Sequence, residues 1–167
     1  MSEVESMSTP VVPRPEVAAP GEWAFPEPRE VELPNGIRAL VHDVPGQYVI
    51  SVRVTVPAAL RHEPREVEGV AWIMARLLDE GTSTHGQREL SELLERRGIA
   101  LGAGMSEAAL GVDLDVPQRF LPEALELLTE CLSEPTFEEG EVTRVVRTRL
   151  AEIEQERASA GRRALKQ

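Results

Sequence analysis

Apolar and polar positions recur along this chain in two periods, and the switches between them mark its elements. Ile50, Val52, Val54 and Val56 fall at every second position of Tyr48–Val56, which predicts a strand with one buried face. Glu30–Leu33 and Ile37–His42 flank Pro34-Asn35-Gly36, and Asn-Gly between two strand-like segments predicts a hairpin, because both residues tolerate positive φ. The period then lengthens. From Gly69 to Thr82, Val70, Ile73, Met74, Leu77 and Leu78 form one apolar stripe of a helix, while Trp72, Ala75 and Arg76 share a second face, with Asp79 a turn further on. Gly81 is the expected stop.

Thr84 to Gln87 has the form of a capping box for a second helix, with Leu90, Leu93 and Leu94 inward and Gly98 at its end. Ile99–Gly104 and Ala108–Val116 read as paired strands, the second alternating Leu110, Val112, Leu114 and Val116. Pro117 suits the first turn of a third helix, with Leu121, Ala124, Leu125, Leu128 and Leu132 inward. Thr136 and Glu139 suggest another capping box, before a helix carrying Val142, Val145, Val146, Leu150 and Ile153. The order is hairpin, strand, two helices, two strands, two helices. Short links favour an α+β fold, a mainly antiparallel sheet with helices packed on one face. Residues 1–29 hold Pro10, Pro13, Pro15, Pro20, Pro26 and Pro28 and read as a flexible leader, with Trp23 and Phe25 pinning its end; the folded lobe is expected over 30–167.

Charge narrows the field. The 167 residues carry a formal net charge of -11, which disfavours nucleic acid and anionic membrane surfaces as partners. No apolar run approaches the ~20 residues that cross a bilayer. Glu3 and Glu5 stand where a signal peptide needs positive charge, so a cytoplasmic location is expected. Cys131 is the one cysteine, in an apolar helical pattern, and reads as a buried small residue. His42, His62 and His85 are too far apart for two of them to share a helix face as metal ligands, and each reads as structural or solvated. Gly98–Gly104 lacks the ending of a phosphate loop and reads as a glycine-rich strand. Ser51, Ser91 and Ser106 have no histidine partner in the pattern. The arginines and glutamates between Glu139 and Arg157 read as a solvated helix face with pairs one turn apart.

Several segments, in order, resemble the insulinase/pitrilysin-type zinc metallopeptidases: Leu33-Pro34-Asn35-Gly36-Ile37-Arg38, Ser51-Val52-Arg53, Arg61-His62-Glu63-Pro64, Asp79-Glu80-Gly81-Thr82 and Leu150-Ala151-Glu152-Ile153. The likeness covers about residues 30–160. It implies the half-lobe of the insulinase or mitochondrial processing peptidase type. Active members carry His-x-x-Glu-His on the first helix, two zinc ligands and a general base, and a glutamate on a later helix completes the set. In this chain Trp72 and Arg76 fall at the histidine positions, Ala75 at the base, and Glu152 alone matches the third ligand. Indole nitrogen only donates, guanidinium is a permanent cation and a methyl group exchanges no proton. No catalytic residue and no bound zinc are therefore expected.

Arg76 is expected to pair with Glu152 across the vacated pocket, with Trp72 packed over it. The resemblance also implies a role: chains lacking the zinc motif pair with active sister chains and help enclose the chamber where the partner cuts peptides. The edge strand at Gly98–Gly104 is then a candidate peptide contact. The chain is shorter than one complete lobe of the family, which suggests a truncated product. Two alternatives stay open: a peptidase with an unconventional metal site, and an interaction module unrelated to proteolysis.

Overall fold

The computed structural model describes residues 21, 24–58 and 60–158. The leader expected over 1–29 falls mostly outside them, and Trp23 with it. The chain divides into two compact units, residues 1–45 and 46–167.

In the first unit, strand β1 (Arg29–Glu32) pairs antiparallel with β2 (Arg38–Val41). The turn is the expected one. Gly36 takes a φ of +81°, the Gly36 N–H donates to the Leu33 carbonyl at 2.8 Å, and the Asn35 side-chain oxygen accepts from the Ile37 N–H at 3.2 Å.

The second unit is built on a three-stranded antiparallel sheet in the order β3-β5-β4 (β3 Val49–Val56, β4 Ala100–Met105, β5 Leu110–Pro117). Register follows the alternation. Val52 faces Leu114 and Val54 faces Val112 across one pair, while Leu101 and Ala103 face the same two residues across the other. On β5, Val112, Leu114 and Val116 are buried and Asp113 and Asp115 exposed, so one face is core and the other wet. On the wet face Arg53 pairs with Asp113 at 3.0 Å. Helix α2 (Gln87–Arg97) gives Leu90 and Leu94 to the core, and α3 (Leu121–Ser133) gives Ala124, Leu127, Leu128 and Cys131. The architecture is α+β, as the pattern predicted.

Three local expectations change. Pro117 ends β5 rather than opening a helix; a 3-10 turn over Gln118–Phe120 intervenes, Pro122 takes the first turn of α3, and Leu125 is exposed while Leu127 points inward. Neither capping box forms as written. Gly86 precedes α2 without a side-chain cap, and the Thr82 hydroxyl instead accepts from the His85 N–H at 3.0 Å. The last helix, α4 (Glu139–Ala158), starts too late for Thr136 to cap it; the Thr136 N–H bonds the Gly81 carbonyl at 3.2 Å.

The helix expected over 69–82 is the largest departure. Only Val70–Ala75 (α1) is α-helical, after which the chain turns more tightly, with Leu77 N–H to the Met74 carbonyl at 3.0 Å and Glu80 N–H to Leu77 at 3.2 Å. The buried face also differs. Ala75 is fully buried in the core, whereas Val70, assigned to the inner stripe, is 56% exposed. Gly81 does end the segment, buried and at a φ of +133°.

Candidate functional site

Helix α1 is too short to be stable on its own, and its first residues need partners for their free N–H groups. Gly69, at a φ of +101°, has no side chain to supply one. Glu63 does: its carboxylate accepts from the Gly69 N–H at 2.8 Å and the Ala71 N–H at 2.7 Å. These bonds, that from Ala71 above all, hold the Glu63 carboxyl below its ordinary value. The Arg61-His62-Glu63-Pro64 segment is thus the clamp that starts the helix bearing Trp72, Ala75 and Arg76.

At the other end of the site, α4 packs against α1. Arg144 bonds both Glu141, at 2.7 Å, and Glu80, tying α4 to the turn after α1. One turn further, Arg149 donates to Glu152 at 3.2 Å and to Glu156 at 3.1 Å, and its guanidinium carbon lies 4.7 Å from the centre of the Trp72 ring. Burial works against that charge, but the bonds to Glu156 and Glu152 outweigh it and raise the Arg149 pKa. Arg76 lies over the same ring, at 4.8 Å.

The expected Arg76–Glu152 pair is therefore corrected. Glu152 is taken by Arg149 from its own helix, and Arg76 stacks on Trp72. The structure does bring Trp72 and Glu152 to one place, joined through Arg149. The signal for this was present: Arg149, Glu152 and Glu156 lie at i, i+3 and i+7, one face of a helix. Ala75 stands apart from the charged cluster, in the core.

Below the cluster a cavity of about 200 Å³ opens between the end of α1, the first half of α4 and strand β4, with Arg76, Asp79, Glu80, Arg144 and the β4 residues Gly102 and Ala103 in its wall. Asp79 is half-buried. Desolvation, and secondarily the nearby Glu80 charge, raise its pKa.

Zinc does not fit these residues. Trp72 offers no lone pair, Ala75 no donor, Arg76 a fixed positive charge, and Glu152 is held by a guanidinium. Among the described residues no three His, Cys, Asp or Glu side chains come together as a metal cluster. His85 bonds Glu130 at 3.0 Å, Glu130 also accepts from Thr82, and both side chains serve to pin the turn after α1. Cys131 is buried and its thiol is pushed up to about 11, chiefly by desolvation, which removes it as a nucleophile. No helix among the described residues is long and apolar enough to cross a membrane.

An antiparallel sheet covered on one face by helices is the half-lobe architecture of the insulinase-type metallopeptidases. The solved structures agree on the fold. A peptidase M16 inactive domain from Pseudomonas fluorescens superposes with a TM-score of 0.75 at 20% identity, covering 82% of this chain and 34% of that one. A protease from Helicobacter pylori gives 0.64 at 22%, over 74% of this chain and 30% of that one.

The profile of Insulinase (Peptidase family M16) matches residues 38–167, and the chain belongs to that family. Among curated relatives, the Bacillus subtilis protein named uncharacterized zinc protease YmxG is 27% identical over 65% of this chain and 26% of its own length. The mitochondrial-processing peptidase subunit alpha of Neurospora crassa is 28% identical over 72% of this chain and 21% of its own. The Helicobacter pylori protein named non-peptidase homolog YmxG is 31% identical over 51% of this chain and 20% of its own. The chain spans between a fifth and about a quarter of the length of these relatives.

Proposed function

We propose that this chain is a non-catalytic member of the insulinase family, holding no zinc, that supports peptide binding and proteolysis by an active zinc-bearing sister chain. One observation carries the reading. The position of the first histidine ligand holds an indole packed against Arg149, and the one matching carboxylate, Glu152, is bound to that same arginine. A permanent cation thus stands between the two helices that carry ligands in active members, and Ala75 supplies no general base at the position where they carry one. Paired assembly is supported by relatives named as alpha and beta subunits of mitochondrial-processing peptidases. A relative named as a non-peptidase homolog supports loss of catalysis.

Co-purification from native cells tests the pairing. The expected partner bears an intact His-x-x-Glu-His helix, and its peptide cleavage rises when this protein is added back. A partner equally active alone would overturn the subunit role, and cleavage by this protein alone, stopped by a chelator, would favour an unconventional metal site.

A further inference from the structure

The chain is anchored firmly up to Thr136 and loosely beyond it. Before that point the turn after α1 is laced to the end of α3. Thr82 bridges Pro135, the Ser83 N–H donates to the Glu134 carbonyl at 3.0 Å, and the Thr136 N–H to the Gly81 carbonyl at 3.2 Å. Phe137 follows at a φ of +47°, the one non-glycine with positive φ among the described residues. A Cβ in that region crowds the following carbonyl, so the conformation is strained and lasts only where its surroundings impose it. Gly140, in the first turn of α4, adds a residue that favours helix less than any other except proline.

What holds α4 down is slight for its length. Helix α3 buries four side chains in 13 residues, whereas α4 buries only Val145 in 20. Leu150 is exposed, and Val142, Val146 and Ile153 are half-buried. The polar ties of α4 to α1 and the turn after it include the Arg144–Glu80 pair, whose arginine is half in water, and the stack of Arg149 on Trp72. Ion pairs that water reaches contribute little.

We infer that α4 is a gate hinged at Phe137, which opens from α1 and strand β4 as a unit while the sheet, α2 and α3 stay folded. Opening lets Phe137 relax to negative φ, so its strain biases the closed state towards release. Arg144, Val145 and Thr148 of α4 form one wall of the cavity, and opening removes that wall. It also takes Arg149 and Glu152 away from the Trp72 ring. The gate belongs to the low end of the molecule's stability, and it depends neither on a partner chain nor on zinc.

Hydrogen exchange of the full chain, read residue by residue by NMR, tests the gate. Once detached, a helix with so little apolar surface does not keep its own bonds. Amides of residues 145–150 are therefore expected to share one opening constant, about tenfold or more above that of Val112 and Leu114. Leu114→Ala, which weakens the core, should speed the β5 amides and leave those of α4 unchanged; low urea should do the same. Phe137→Ala and Phe137→Gly both lose the ring, but only glycine takes a φ of +47° freely. The α4 amides should thus exchange about fivefold more slowly in the glycine variant than in the alanine one. Equal acceleration of α4 and β5 by urea or by Leu114→Ala would show that α4 opens only with the whole unit and overturn the gate. Protection that falls steadily along 145–150 towards Ala158 would reduce it to fraying, and equal exchange in the two Phe137 variants would overturn the hinge.

Discussion

Two regions of the second unit solve the same problem by different chemistry. Where α2 and α3 cover the three-stranded sheet, helix meets sheet through Leu90, Leu94, Leu114, Val116, Leu128 and Cys131, all buried and apolar. Where α4 meets α1, the join is made by Arg144 to Glu80 and by Arg149 to Trp72, and α4 buries only Val145. The first region is held by hydrophobic burial, which needs no particular partner for any one side chain. The second is held by specific contacts of arginine, at a place where the active relatives implied by the resemblance use a metal ion. Under the proposed function, an arginine anchored in the chain makes the contact between the two helices.

That contrast breaks most readily in the core. Leu114→Ala should destabilise by about 2–5 kcal/mol, read from the urea midpoint, because Leu114 is 1% exposed and neighbours on two strands cannot collapse into the space. A change under 1 kcal/mol on that scale would mean the core is far looser than drawn. Gly81→Ala comes next, at about 1–3 kcal/mol. Gly81 sits at a φ of +133°, and a Cβ there would meet the Gln87 nitrogen and the Thr136 hydroxyl at 3.3 Å.

The arginine junction should respond less, and cooperatively. A double-mutant cycle of Trp72→Leu and Arg149→Met is expected to give a coupling of about 0.5–2 kcal/mol in thermal unfolding. Additive effects would show that the stack holds nothing together. Smallest are two pH effects of opposite sign. Glu63 has a depressed folded-state pKa, so it stabilises above the ordinary carboxylate range and that contribution is lost as pH falls through the depressed value. Asp79 has a raised one, so stability declines as pH rises from its ordinary pKa through the raised value. Tm profiles of Glu63→Gln and Asp79→Asn should each lose the corresponding slope.

Much of this was legible in the sequence where a single period runs without interruption. The Val112, Leu114, Val116 alternation showed the buried face of β5, and Pro34-Asn35-Gly36 the hairpin. Around α1 the pattern misled, because a pattern of period 3.6 cannot show where bonding tightens to i+3 after Ala75, nor that Ala75 is buried and Val70 exposed. The resemblance assigned Trp72 and Arg76 from the helix that leads into Asp79-Glu80-Gly81-Thr82, and Glu152 from Leu150-Ala151-Glu152-Ile153. Their partners were not legible, since Arg76 and Arg149 are equally able to reach a carboxylate, and only tertiary packing shows which one stands between Trp72 and Glu152. The capping role of Glu63 escaped notice for a related reason: the helix it caps begins at Val70, outside the spacing of a local cap.

Zinc titration of the purified full chain, followed by metal analysis after desalting, tests the central claim most directly. The account predicts no retained zinc and no shift in Tm with zinc or chelator. Retention of one zinc per chain, abolished by Glu152→Gln, would contradict it.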